Sequence, residues 1–180
     1  MLLFTLTWSC LSVAQPTALQ TDAEWRSWGR VGSAELTWLF FDVYRSELYS
    51  PKGQYRLSHD VSPHPLALSI TYQRDISSEN LLKATRDQWA KLGFSEREIQ
   101  QWSGELENIY PDVAPGDRLV YVSDGQQGYF EYRAAGSTNW LSIGSLSDER
   151  ASDAFLSIWL SPNTEYPKLR RQLIGLSRAG

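Results

Sequence analysis

Between Leu66 and Tyr72 every second residue is large and apolar: Leu66, Leu68, Ile70 and Tyr72 share one side, with Ala67, Ser69 and Thr71 between them. A period of two is the signature of a strand, because successive side chains leave a pleated backbone on opposite faces. A strand with one apolar face needs a sheet around it and a second layer to bury that face. The rest of the chain supplies both. Val31 to Ser50 is rich in aromatic residues, with Leu36, Trp38 and Phe40 alternating with Thr37, Leu39 and Phe41. Its length suits two strands or one bent strand, ended by the turn Pro51-Lys52-Gly53, and a short strand is expected over Gln54 to Leu57.

Two helices follow. Ser77 or Ser78 caps the first, whose stripe is Leu81, Leu82, Thr85, Trp89 and Leu92, and Gly93 stops it in the left-handed conformation. Ser95 and Glu98 form a capping box for the second, which carries Ile99, Trp102, Leu106 and Ile109 on one side. After a turn region at Pro111 to Asp117 come three strand segments, Leu119 to Val122, Gly128 to Arg133 and Trp140 to Ile143. Asp124-Gly125 and Gly136-Ser137 mark the hairpins between them. A helix from about Asp148 to Leu160 turns Ala151, Phe155 and Ile158 inward, and Pro167 opens a last helix with Leu169 and Leu173 inside. Strands cluster, helices pair, and the order repeats. A doubly wound parallel sheet would alternate strictly, so the expectation is α+β, an antiparallel sheet with helices covering one face.

The amino-terminal run Leu2 to Ala14 carries no charge and ends in Ser12-Val13-Ala14, the small residues that a signal peptidase reads. It is shorter than the roughly 20 apolar residues needed to span a bilayer. The expectation is a signal peptide over 1–14 cleaved after Ala14, a flexible lead-in over 15–22, one domain over 23–180, and export to a periplasm. No membrane span would remain after leader removal. Cys10, the single cysteine, lies in that leader behind Thr7 and Trp8, a pattern unlike a lipidation signal. The remainder would carry no thiol for a disulfide or a thiolate metal site. Hydrophobic residues make up 42% of the 180 and charged residues 21%, the balance of a folded domain rather than a disordered one. The net charge of −4 offers no basic face for nucleic acid.

Few residues are placed for chemistry. The two histidines lie in a loop, and His59, Asp60 and His64 have no fourth ligand spaced for zinc. There is no nucleophile elbow, phosphate loop or dinucleotide fingerprint, and no cofactor is expected. The acidic pairs Glu96/Glu98 and Glu105/Glu107 read as solvated helix faces. The candidate ligand-binding residues are Arg30, at the entry to the first strand, and Tyr72 and Arg74, two positions apart at the end of the cleanest strand. A guanidinium beside an apolar sheet is suited to a ligand carboxylate or enolate. The structural alternative is that Arg74 pairs with Asp75 or a helix carboxylate.

The order of segments resembles the chalcone isomerase-like superfamily, especially its bacterial exported branch, over roughly Val31 to Gly175. The resemblance is carried by Val31-Gly32, Trp38-Leu39-Phe40-Phe41-Asp42-Val43-Tyr44, Leu48-Tyr49, Tyr72-Gln73-Arg74-Asp75-Ile76, Gln88-Trp89 and Leu92-Gly93. It ends with Ile158-Trp159-Leu160 and Leu169-Arg170-Arg171-Gln172-Leu173-Ile174-Gly175. It implies an open-faced β-sandwich, a large antiparallel sheet backed by helices. The plant enzymes of that superfamily close a flavanone ring with an arginine, a threonine, a tyrosine and an asparagine. The threonine position falls at Leu39, the tyrosine at Ser77 and the asparagine at Ala84, and only Arg30 could stand for the arginine. Non-catalytic members hold a fatty acid in the same cleft by arginine and tyrosine. The resemblance therefore implies a non-catalytic protein binding a small apolar or acidic ligand such as a fatty acid. The rival readings are a cofactor-free lyase or isomerase using Arg30, Tyr72 and Arg74, and an interaction module.

Overall fold

Three serine or aspartate caps fix where the main helices start. The Ser77 hydroxyl accepts from the Asn80 amide, Ser95 and Glu98 close a reciprocal capping box, and the Asp148 carboxylate accepts from the Ala151 amide. The helices so begun are α1 (Ser78–Lys91), α2 (Glu96–Glu107) and α3 (Glu149–Leu160), followed by α4 (Pro167–Leu173) with proline at its start. The strands are β1 (Gly29–Trp38), β2 (Phe41–Ser50), β3 (Leu66–Tyr72), β4 (Arg118–Ser123), β5 (Gly128–Arg133) and β6 (Leu141–Leu146). A single turn of 3-10 helix, Glu24–Ser27, precedes β1. The structure, a computed structural model, describes residues 24–38, 41–146 and 148–176. The expected leader and lead-in, and Leu39, lie outside these residues.

Among the described residues the six strands form one antiparallel sheet in chain order, each paired with its sequence neighbours. The α1–α2 pair is inserted between β3 and β4, and α3 and α4 follow β6. All four helices serve one core on the inner face of the sheet. There Leu66, Leu68, Ile70 and Tyr72 of β3 meet Trp89, Trp102, Leu106, Phe155 and Leu169, all buried. Nearly every residue of α3 from Ala151 to Leu160 is buried, so it is the central helix of the layer rather than an amphipathic cover. This is the α+β open-faced sandwich expected from the segment order.

The outer face is covered at one end. Trp25 packs on Ala67, Val120 and Val122, with Trp28, Tyr49, Tyr129 and Trp140 around it. The Trp25 indole N–H and Arg26 both donate to the Glu131 carboxylate, at 2.8 and 2.7 Å, and Glu131 is buried. Arg26 and Arg133 lie over the Trp140 ring, 4.8 and 4.9 Å from its centroid, where a cation meets the negative face of the indole.

Two expected features differ. Gln54 to Leu57 is not a strand: the Ser50 hydroxyl both donates to the Gln54 carbonyl and accepts its amide at 2.9 Å, curling the chain into a loop. The sixth strand starts at Leu141 rather than Trp140 and runs past Ile143 to Leu146, pairing with β5 through a register shift opposite Phe130 and Glu131. Close packing also explains one glycine. A Cβ on Gly32 would lie 2.1 Å from the Gln172 carbonyl oxygen and 2.5 Å from that of Leu173, so only glycine lets the end of α4 rest on β1.

Candidate functional site

Where the inner face of the sheet parts from α1 and α3, a cavity of about 170 Å³ remains. Its apolar walls include Leu36, Ile70, Leu119, Phe155 and Ile158. Its polar groups are Tyr44 of β2, Tyr72 of β3, Thr85 and Gln88 of α1, and Tyr110 just beyond α2, together with Trp159 and Tyr166. Tyrosine is the only titratable side chain among the described lining residues, and burial keeps Tyr44, Tyr72 and Tyr110 in the neutral form. Burial pushes the Tyr44 hydroxyl far up despite its hydrogen bond with Trp159. Burial likewise pushes up Tyr72, with Tyr110 and Tyr44 nearby adding to the effect, and Tyr110, despite Thr85.

The hydrogen bonds in the cavity have defined directions. The Trp159 indole N–H donates to the Tyr44 oxygen at 2.8 Å, which leaves the Tyr44 proton free to donate. The Thr85 hydroxyl donates its one proton to the Leu81 carbonyl at 2.9 Å, so the 3.0 Å contact with Tyr110 has tyrosine as the donor. Gln88 Nε2 is held by Glu165 at 2.8 Å. Tyr72, 4% exposed, has no hydrogen-bond partner for its hydroxyl among the described residues.

The structure does not bring the three sequence-predicted residues together. Tyr72 lines the cavity. Arg30 lies on the opposite face of the sheet, donating to Glu47 at 3.0 Å. A register shift between Arg30 and Gly32 is the cause: strict alternation would place Arg30 on the side of Gly32, Ala34 and Leu36, and the bulge turns it outward. Arg74 is exposed and does not line the cavity, because β3 ends at Tyr72, where the Tyr72 carbonyl accepts from Gly116 and the chain bends. Neither alternative partner holds it, since Arg74 makes no ion pair among the described residues.

Of the positions matched to the plant enzymes, Ala84 lies at the exposed rim of the cavity and contributes only a methyl group. Ser77 is spent as the α1 cap. His64 is bound into its loop, accepting from the Arg56 amide at 3.2 Å. No cluster of three metal-binding side chains occurs among the described residues, and none of their helices is long and apolar enough to cross a membrane. A larger hollow of about 720 Å³ opens between β1 and α4, but it is an open surface groove whose Glu35 and Arg45 pair with each other at 2.6 Å. Sequence reasoning missed Tyr44, Tyr110 and Trp159 as site residues. The one available signal was that Tyr44 falls inside the segment that carries the family resemblance.

With this geometry in hand, comparison with known proteins settles the lineage. The family model described as chalcone isomerase-like matches residues 32–175. A protein of Haemophilus influenzae, described only as uncharacterized, is 31% identical over 157 residues, covering 87% of this chain and 73% of that protein. The chain belongs to the chalcone isomerase-like family.

Proposed function

We propose that the protein is a non-catalytic member of this family that binds a small, largely apolar molecule in the cavity between sheet and helices, and that it works in the periplasm after loss of its leader. The observation that carries the binding reading is the cavity itself. It is walled by apolar side chains and holds a few hydroxyls converging from β2, β3 and the end of α2, the usual composition of a ligand site. The tyrosine hydroxyls stay protonated through burial, so they serve as hydrogen-bond donors rather than as bases. The alanine at position 84, where the enzymes carry asparagine, supports a binding role over cyclisation. Export rests on the uncharged run Leu2 to Ala14 and its small-residue ending.

Intrinsic tryptophan fluorescence, compared with a Trp159→Phe variant to isolate the signal at the cavity, and thermal shift against a panel of small apolar compounds test binding. A compound that raises the melting temperature, and loses that effect when Ala84→Phe fills the rim, supports the site. Turnover of a chalcone at a rate abolished by Tyr72→Phe would overturn the non-catalytic reading. Intact mass of protein recovered from the periplasmic fraction tests export: a chain beginning at Gln15 is expected, and one retaining Met1 in the cytosol would refute it.

A further inference from the structure

We infer that the outer face of the sheet carries an anion site in which Arg118 and Arg133 hold a phosphate group, free or esterified, between their guanidinium groups. It lies on the side of the sheet away from the cavity and stands whatever the cavity binds.

The pairing of charges on that face singles the two residues out. Glu35 takes Arg45 at 2.6 Å, Glu47 takes Arg30 at 3.0 Å, and Glu131 takes Arg26 at 2.7 Å. Arg118 and Arg133 are left over. Arg133 makes no ion pair among the described residues. Arg118 comes no nearer than 3.8 Å to a described carboxylate, and the Glu47 oxygen at that distance already accepts from the Tyr49 hydroxyl at 3.1 Å.

The leftover arginines are also neighbours. Arg118 of β4 stands directly opposite Arg133 of β5, and Thr71 of β3 directly opposite Arg118, so the three side chains leave one face of the sheet in a row. Like charges set opposite each other repel, and an anion seated between them replaces the repulsion with charge-assisted hydrogen bonds. The donors are already oriented. Arg133 lies over the Trp140 ring, 4.9 Å from its centroid, which holds the guanidinium by its face and leaves its N–H edge open. Arg118 gives its Nε–H to the Thr71 hydroxyl at 3.2 Å, and its terminal nitrogens make no hydrogen bond among the described residues. Thr71 accepts in that bond, so its own proton is a further donor at the same spot. The Arg118 side chain is 27% exposed, open enough for a small anion to reach. A phosphate monoester offers three acceptor oxygens and about 1.5 to 2 negative charges near neutral pH, which match a hydroxyl and a pair of guanidinium groups. A carboxylate or a sulfate ester, with a single charge, leaves one arginine uncompensated.

Calorimetry on the full chain with methyl phosphate, inorganic phosphate and methyl sulfate, near neutral pH and at fixed ionic strength, tests this. The two methyl esters share a shape and differ in charge. Methyl phosphate is expected to bind at least about tenfold more tightly than methyl sulfate. Arg118→Gln and Arg133→Gln should each weaken methyl phosphate by about tenfold or more, and Thr71→Val by about three- to tenfold. Arg86→Gln, which alters an exposed arginine of α1 away from this face, should change nothing. Melting curves verify that the variants fold, and the comparison of the two esters needs no variant. Methyl phosphate binding more tightly than inorganic phosphate supports an ester as the ligand, the reverse order supports the free ion, and both support the site. Methyl sulfate matching methyl phosphate would overturn the phosphate assignment. Binding that survives both arginine substitutions, or no binding of either phosphate, would overturn the site itself.

Discussion

Tyr44 and Tyr72 face each other across adjacent strands with ring centroids 6.4 Å apart and planes at 74°, yet only the Tyr44 hydroxyl has a partner among the described residues. That asymmetry makes the same chemical deletion cost different amounts at the two positions. Tyr72→Phe removes a hydroxyl that opens onto the cavity and breaks no hydrogen bond among the described residues, so it should leave stability unchanged or raise it slightly, by less than about 1 kcal/mol. Tyr44→Phe strips the Trp159 N–H of its acceptor and should cost about 1–3 kcal/mol. Urea unfolding followed by tryptophan fluorescence measures both, and a loss of equal size from each would contradict the assignment.

Gly32 and Gly104 offer a second contrast. Alanine at 32 drives a methyl group into the carbonyl oxygens of Gln172 and Leu173, so α4 must lift from β1. The expected loss exceeds about 3 kcal/mol. Alanine at 104, inside α2 with open space around it, should add about 0.5–1 kcal/mol through helix propensity. Thermal melts of the two variants should move in opposite directions.

Acid sensitivity should trace to Asp117. Burial alone would raise its carboxyl, but the Tyr132 hydroxyl at 2.7 Å and the amides of Ala114 and Ala135 at 2.9 and 2.8 Å together hold it below the ordinary value. A carboxyl depressed in the folded state binds its proton more readily when unfolded. Its contribution is therefore complete above the unfolded value of about 3.9 and fades as pH falls through the folded one. Asp117→Asn should lower stability at pH 7 by about 1–3 kcal/mol and flatten the stability curve below about pH 4. Denaturation midpoints measured from pH 7 down to acid conditions would show whether the curve flattens.

The outer-face clip is a fourth point of test. Glu131 receives the Trp25 indole and Arg26, and it anchors by hydrogen bonds a turn that Trp25 also holds to the sheet by packing on Ala67, Val120 and Val122. Glu131→Ala should free that turn: amide exchange at Trp28, whose N–H donates to the Trp25 carbonyl, should quicken well before exchange in β3 does. Uniform quickening across the sheet would mean that Glu131 supports the whole domain instead.

Much of the fold was readable because its signals are local. Leu66 to Tyr72 reads as a strand from alternation alone, and Ser77, Ser95 and Asp148 announce their helices by capping chemistry within three residues. The site was not local. Tyr44, Tyr72, Tyr110 and Trp159 come from four separate segments, and only packing of α1 and α3 against the sheet puts their polar atoms around one space. Arg30, chosen for its place at the entry to the first strand and as the position matching the family's arginine, lies on the other face because one bulge changes the parity of the strand, and a bulge leaves no mark in the sequence. Arg74 lies off the cavity because β3, and with it the period of two, ends at Tyr72.

The contact between Gly32 and the end of α4 sets an order of assembly. The inner face of β1 is finished by Gln172 and Leu173, and Gly175 brings its own backbone alongside the Val31 carbonyl. The first strand is thus completed by the last helix, so a chain emerging from the ribosome holds β1 half-clad until its final helix is released. The same closure brings the two ends of the family domain side by side. A short linker there, with new ends opened at the exposed Gly136 turn between β5 and β6, should give a circular permutant that keeps the sheet intact.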